Sequence, residues 1–147
     1  MILRILLGLL FVASGGEKLL FPYQNFLYVI QNYQILPPFA EESAARVMPW
    51  IELILGVFLI LGLWLEWTLR GVLIMILGFL LIVGQALIRR LPLEECGCFG
   101  SRWSFPLPVT FLMDIILWTI TAYLRIRIER TAFFSLDRYF SKTNQPL

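Results

Sequence analysis

The chain has 147 residues, of which 59% are hydrophobic and 15% are charged, and its net charge is +2. About a quarter of the residues of a soluble domain are charged, so this composition, with a mean hydropathy of +0.80, indicates a membrane protein. The basic residues form no patch that would suggest nucleic-acid binding. Histidine is absent, which removes the commonest metal ligand and proton shuttle. We therefore expect no nucleic-acid partner and no metal site.

Four apolar segments are each long enough, or nearly so, to cross the roughly 30 Å hydrocarbon layer as a helix. They comprise residues 2–20, 49–65, 70–88 and 106–124. The sequence thus predicts an all-α fold, a single integral membrane domain over residues 1–147 with four transmembrane helices packed as a bundle. The first segment could instead be a cleaved signal peptide, because Arg4 precedes a short apolar run and Val12-Ala13-Ser14 is small. We favour a retained helix, because apolar sequence resumes at Leu19.

The stretch FPYQNFLYVIQNYQILPPF, residues 21–39, separates the first two spans. Phe26, Ile30 and Tyr33 recur at helical spacing, while amide side chains occupy another face. An uncharged, aromatic-rich amphipathic helix is typical of the membrane interface, so we expect an interfacial helix here that ends before Pro37-Pro38. An ordinary packed connecting helix is the alternative.

Charge distribution predicts the orientation of the chain. With four spans, both termini lie on one side, together with seven of the basic residues: Arg4, Arg70, Arg125, Arg127, Arg130, Arg138 and Lys142. Five basic residues fall on the other side: Lys18, Arg46, Arg89, Arg90 and Arg102. Because cytoplasmic loops are enriched in Lys and Arg, we expect cytoplasmic termini, a basic cytoplasmic tail over residues 125–147, and an extracytoplasmic loop between the last two spans.

Polar side chains inside the spans form a second pattern. Ionisable groups in hydrocarbon cost at least about 2.5–3.5 kcal/mol, so each requires a reason. Glu17 and Lys18 fall at the outer end of the first span, Glu52 near the start of the second, Gln85 near the end of the third, and Asp114 in the outer half of the fourth. We expect Glu17, Glu52 and Asp114 to line one polar pocket and to handle protons. The alternative is purely structural: Glu52 pairs with Lys18, or caps a helix that starts at Pro49.

The loop PLEECGCFGSRW contains the two cysteines of the chain, Cys96 and Cys98. Two thiolates supply half of a tetrahedral zinc site, and no histidine can complete it. A disulfide between positions i and i+2 closes so small a ring that it stabilises little, and its strained geometry makes it easier to reduce. Strained, exposed disulfides are the labile or catalytic kind. The spacing therefore favours a redox-active pair.

Four stretches together resemble the MauE family of methylamine-utilisation membrane proteins, within the wider DoxX-like group of four-helix bundles. They are LRILLGLLFVASGGEKL (residues 3–19), YQILP (33–37), PWIELILGVFLILGLW (49–64) and CGCFG (96–100). The resemblance implies thiol–disulfide chemistry outside the cytoplasm with a thioredoxin-like partner. One departure concerns the fourth span, where family members usually have a basic residue before the acidic one and this chain has Met113 before Asp114.

These observations predict an inner-membrane protein that relays electrons or disulfides through Cys96 and Cys98. The buried acids would handle the protons, and a quinone is a candidate electron acceptor. The main alternative is a non-catalytic accessory subunit that anchors a larger membrane complex, with the cysteines as a local disulfide. A small-solute transporter is disfavoured because neither inverted repeats nor broken helices are evident.

Overall fold

The computed structural model describes residues 2–90 and 106–127, and every regular element in this part of the chain is an α-helix. The helices are α1 (Ile2–Leu20), α2 (Tyr23–Tyr33), α3 (Pro38–Leu61), α4 (Leu65–Ile88) and α5 (Leu107–Ile126). Three of them, α3, α4 and α5, are long and apolar enough to cross a membrane. Helices α1 and α2 meet at a bend of 107° and together provide a fourth candidate span.

Local sequence explains most of the helix boundaries. Pro22 and Pro106 precede α2 and α5 in extended conformations, as suits residues just before a helix. Helix α3 ends at Gly62, whose φ of 68° is readily adopted only by glycine, and the Gly62 N–H donates to the Phe58 carbonyl oxygen at 2.8 Å. Residues 62–64 form a turn that leads directly into α4.

Two helices begin before the spans that the sequence predicts. The second span was expected to begin at Pro49, but α3 begins eleven residues earlier at Pro38, and Pro49 lies inside the helix. Proline is tolerated within membrane helices where neighbouring groups compensate for the lost hydrogen bond, so it did not mark a start here. The third span was expected to begin at residue 70, whereas α4 begins at Leu65, because the turn lies at residues 62–64 rather than 66–70.

Helices α1 and α3 run antiparallel and pack closely through glycines. A Cβ atom on Gly8 would lie 2.9 Å from the Gly56 carbonyl oxygen, and one on Gly15 would lie 2.8 Å from the Pro49 carbonyl oxygen. Such distances leave no room for a side chain, so the two backbones approach as small residues allow in membrane helices. On α4, by contrast, a Cβ atom on Gly78 would meet no atom within 4 Å.

The remaining helices complete the core. Helix α3 also contacts α2 and α4, and α5 packs against α4. One apolar cluster joins α1, α3, α4 and α5, and its buried residues are Leu7, Phe11, Leu59, Leu65, Leu69, Val72, Met75, Ile76 and Leu124. A second cluster joins α2 to the end of α4 and the start of α5 through Tyr33, Val83, Ala86 and Leu107. This second cluster lies where the chain enters and leaves residues 91–105.

Candidate functional site

A buried ion pair joins α1 to α3. The Lys18 Nζ lies 2.6 Å from Glu52 Oε1 and 2.9 Å from Oε2. Ser14, one helical turn before Lys18, donates its hydroxyl to Glu52 Oε2 at 3.1 Å. Only 5% of Lys18 and 1% of Glu52 is exposed. Either partner alone would be a buried, uncompensated charge. The close approach of α1 and α3 brings the two charges together, so that each compensates the other.

Two aromatic rings cover the Lys18 ammonium group. Its Nζ lies 4.8 Å from the centre of the Phe26 ring on α2 and 5.5 Å from the centre of the Phe79 ring on α4. Both distances are within the range of cation–π attraction. The ammonium group thus contacts a carboxylate on one side and aromatic ring faces on the others. Side chains from α1, α2, α3 and α4 therefore meet at this one charge.

Asp114 of α5 lies beside the Lys18–Glu52 ion pair. It lines a small cavity together with Ser14 and Glu52, among apolar side chains that include Phe79. Only 4% of Asp114 is exposed, and its Oδ2 has no hydrogen-bond partner among residues 2–90 and 106–127. The positive charge of Lys18 acts on both carboxyl groups. The structure therefore brings Glu52 and Asp114 together, with Lys18 and Ser14, in what we call the charge cluster.

Other predicted site residues lie elsewhere. Glu17 is half-buried beside the charge cluster, where its charge acts on Lys18, but it does not line the cavity. Gln85 does not join the cluster; with its amide oxygen oriented towards Arg89, it accepts hydrogen bonds at 3.0 and 3.2 Å from that guanidinium. Cys96 and Cys98 lie outside the described residues. Helix α4 contributes only the apolar residues Ile76 and Phe79 to the described cavity.

The position of Glu52 also differs from expectation. It lies fourteen residues after Pro38, roughly 21 Å along α3, and not in the first turn of a helix. The capping role that the sequence left open is therefore wrong, because the N-terminal helix dipole acts only within the first turn. The ion pair with Lys18, the other structural alternative, is present.

Comparison with known proteins identifies the family. The sequence model of the family described as "Methylamine utilisation protein MauE" matches residues 1–127. The chain belongs to the MauE family. A Paracoccus denitrificans protein described as "Methylamine utilization protein MauE" is 30% identical over 120 residues, which cover 82% of this chain and 63% of that protein. The chain thus spans less than two thirds of that relative's length. No solved structure matches.

Two of the stretches that carry the MauE resemblance supply three of the four residues of the charge cluster. Ser14, Gly15 and Lys18 come from residues 3–19, while Pro49 and Glu52 come from residues 49–64, and these two segments are the ones in contact. The residue before Asp114 is the uncharged Met113. The charge that acts on Asp114 here comes instead from Lys18, on a different helix.

A second, larger cavity lies between α2, α3 and α4. Its volume is about 90 Å³ and its lining is apolar: Phe26, Val29, Ile30, Tyr33, Ile35, Leu36, Ala44, Met48, Phe79 and Ile82. An engineered cavity of about 150 Å³ holds one benzene molecule, so this smaller cavity does not enclose a substituted quinone ring. No electron-transfer step to a quinone is proposed for this chain.

Sequence reasoning missed three members of the site. Ser14 was considered only as a small residue, although its spacing of four from Lys18 places both on one face of α1. Phe26 and Phe79 carry no sequence signal that separates them from other apolar positions. Among the described residues, no group of three or more acidic or cysteine side chains is arranged to hold a metal ion.

Proposed function

We propose that this MauE-family chain is a redox-associated membrane protein of methylamine utilisation, in which Cys96 and Cys98 exchange disulfides with a thioredoxin-like extracytoplasmic partner. Family membership supports the methylamine connection. The observation that carries the rest is the charge cluster, because buried ionisable groups in membrane helices are rare and usually functional. Glu52 and Asp114, with Glu17 beside them, would handle the protons that accompany thiol–disulfide exchange.

The exchange is balanced without a further co-reactant. A thiolate of the Cys96–Cys98 pair attacks a partner disulfide, which gives a mixed disulfide and a partner thiolate. The second cysteine then displaces the partner, so that two electrons and two protons pass from one dithiol to the other. The loop containing this pair starts after α4 and ends before α5, and Asp114 lies seven residues, roughly 10 Å, along α5 from its first residue.

The proposed topology has four spans, an α2 that lies in the interface, cytoplasmic termini and an extracytoplasmic cysteine loop. The bend of 107° after α1 supports an α2 lying across the first span. Trp64 and Trp67 are exposed at the α3–α4 turn, beside Arg70, as suits the opposite membrane interface. A DoxX-like grouping rests on the same four-helix arrangement.

Topology is tested by labelling intact cells with a membrane-impermeant thiol reagent. The reduced wild-type loop should be labelled, and W64C in a chain whose own cysteines are serines should not. The reverse pattern would refute the orientation.

Trapping tests the relay. Cys96→Ser and Cys98→Ser each leave one thiol that cannot complete the exchange, and at least one of them should accumulate a mixed disulfide with an extracytoplasmic protein. The control is the double variant, which has no thiol to trap. If neither single variant forms an adduct and methylamine-dependent growth is intact in both, the relay is wrong.

A thiol-alkylation assay separates this function from the accessory-subunit alternative. A pair that changes between dithiol and disulfide under mild reductant supports the relay. A pair that stays oxidised under the same conditions, in a complex that keeps its activity when both cysteines are serine, supports a structural clip in an accessory subunit.

A further inference from the structure

The charge cluster contains two carboxyl groups and one ammonium group. Lys18 is held by Glu52 through two contacts, at 2.6 and 2.9 Å, and is the basic residue whose charge acts on both carboxyl groups. Ionisation of all three groups would leave one net negative charge enclosed by apolar helices. An uncompensated buried charge is expensive and is normally removed by taking up a proton.

The hydrogen bonds show which carboxyl group lacks compensation. Both Glu52 oxygens accept bonds, from Lys18 and Ser14. Asp114 is more than nine-tenths buried, and its Oδ2 has no hydrogen-bond partner in the described part of the chain. Charged oxygens in an apolar site need several donors, so the ionised form suits Glu52 and the neutral acid suits Asp114.

Among residues 2–90 and 106–127, the remaining titratable groups around the site do not supply the missing positive charge. On α1, Glu17 adds negative charge near Lys18. On α2, Tyr33 is close enough for the Asp114 charge to act on it, and it is neutral in its ordinary form. Helix α4 contributes Ile76 and Phe79 to the cavity. The surroundings thus leave the net negative charge of the cluster uncompensated, which favours protonation of one of its carboxyl groups.

We propose that Asp114 is a proton-binding side chain that holds one proton at neutral pH, while Lys18 and Glu52 form a fixed ion pair beside it. The cavity between Asp114, Glu52 and Ser14 has a volume of about 20 Å³, which is room for about one water molecule with three polar neighbours. A water molecule in this cavity would accept the proton when Asp114 releases it and would return it when Asp114 is protonated again. This assignment rests on the proposed function, in which the acids handle protons, and it names the acid that exchanges one.

Infrared spectroscopy of the full-length protein in lipid tests the assignment. At neutral pH the wild-type protein should show the C=O stretching band of a carboxylic acid, separate from the carboxylate bands and shifted in D₂O. Asp114→Asn should abolish this band, while Glu66→Gln, at an exposed acid of α4 that pairs with Arg70, should leave it unchanged. Absence of the wild-type band, or its persistence in Asp114→Asn, would overturn the proposal.

Two further variants keep the test decisive should Asp114→Asn fail to fold. Glu52→Gln leaves Asp114 as the remaining carboxyl group of the charge cluster beside Lys18, so Asp114 should ionise and the band should disappear. Lys18→Met removes the positive charge, so both carboxyl groups should be protonated and the band area should increase about twofold. An unchanged band in both variants would contradict the charge balance.

The infrared test and the trapping test are independent, so one can succeed when the other fails. Cys96→Ser should keep the carboxylic-acid band, because the substitution leaves all four residues of the charge cluster unchanged. A band with no mixed disulfide would refute the relay and leave the proton site standing. A mixed disulfide in a protein without the band would refute the proton site alone.

Discussion

Replacing Gly15 tests whether the close approach of α1 and α3 holds the charge cluster together. A Cβ atom at this position would lie 2.8 Å from both the Leu53 nitrogen and the Pro49 carbonyl oxygen, and 3.1 Å from the Glu52 Cβ. Two of these three atoms belong to the backbone, which cannot move aside as a flexible side chain can. Gly15→Ala must therefore push α3 away from α1.

The next residue provides a matched control. Gly16 is in the same helix, and a Cβ atom there would meet no atom within 4 Å. Both substitutions gain the same helix propensity, about 1 kcal/mol, so the difference between them isolates the packing cost. Overpacking of a well-packed site costs about 1–3 kcal/mol. We expect Gly15→Ala to be less stable than Gly16→Ala by that amount.

The measurement is the free energy of unfolding in detergent, followed by circular dichroism during titration with a denaturing detergent. Gly16→Ala should be as stable as the wild-type protein or slightly more so. Equal free energies for the two variants, within about 0.5 kcal/mol, would refute the close α1–α3 contact and with it the geometry of the Lys18–Glu52 pair.

The same unfolding assay tests the cluster and the core. Lys18→Met should destabilise the protein by about 3–5 kcal/mol, because it leaves Glu52 buried without its partner, whereas replacing Lys18 and Glu52 together by methionine should restore most of the loss. A double variant no more stable than Lys18→Met would contradict the pairing. Glu66→Gln, which breaks a partly exposed pair, should cost about 0–1 kcal/mol. Leu59→Ala should cost about 2–5 kcal/mol because Leu59 is 0% exposed, and Leu81→Ala, at a residue that is 67% exposed, should cost much less; similar losses at both positions would contradict the packing of the core.

The sequence predicted the helical class and most of the helices, because long apolar segments leave few alternatives to a helix. Its errors concerned where helices begin. Pro49 indicates a helix start in a soluble protein, and no sequence signal before it shows that the helix has already begun at Pro38. The turn before α4 was missed because Gly62, Leu63 and Trp64 continue an apolar run, and only the positive φ angles of Gly62 and Trp64 mark it.

The site was predictable in part. Glu52 and Asp114 are visible in the sequence because acids are rare within apolar segments, and the structure places them at one cavity. The pairing of Lys18 with Glu52 was only one of two alternatives, since helix spacing does not tell which helices are neighbours. Phe26 and Phe79 could not be assigned, because a ring that covers an ammonium group has the same sequence pattern as a ring in a lipid-facing or core position.

The separation of Lys18 and Glu52 along the chain has a consequence for synthesis. The two residues are 34 positions apart, and α1 leaves the ribosome well before α3. Until α3 arrives, the ammonium group of Lys18, in the last turn of α1, stays solvated by reaching towards the lipid headgroups, as long basic side chains near helix ends do. Lys18 should therefore become buried only once α3 has entered the bilayer beside α1 and brought Glu52 to it.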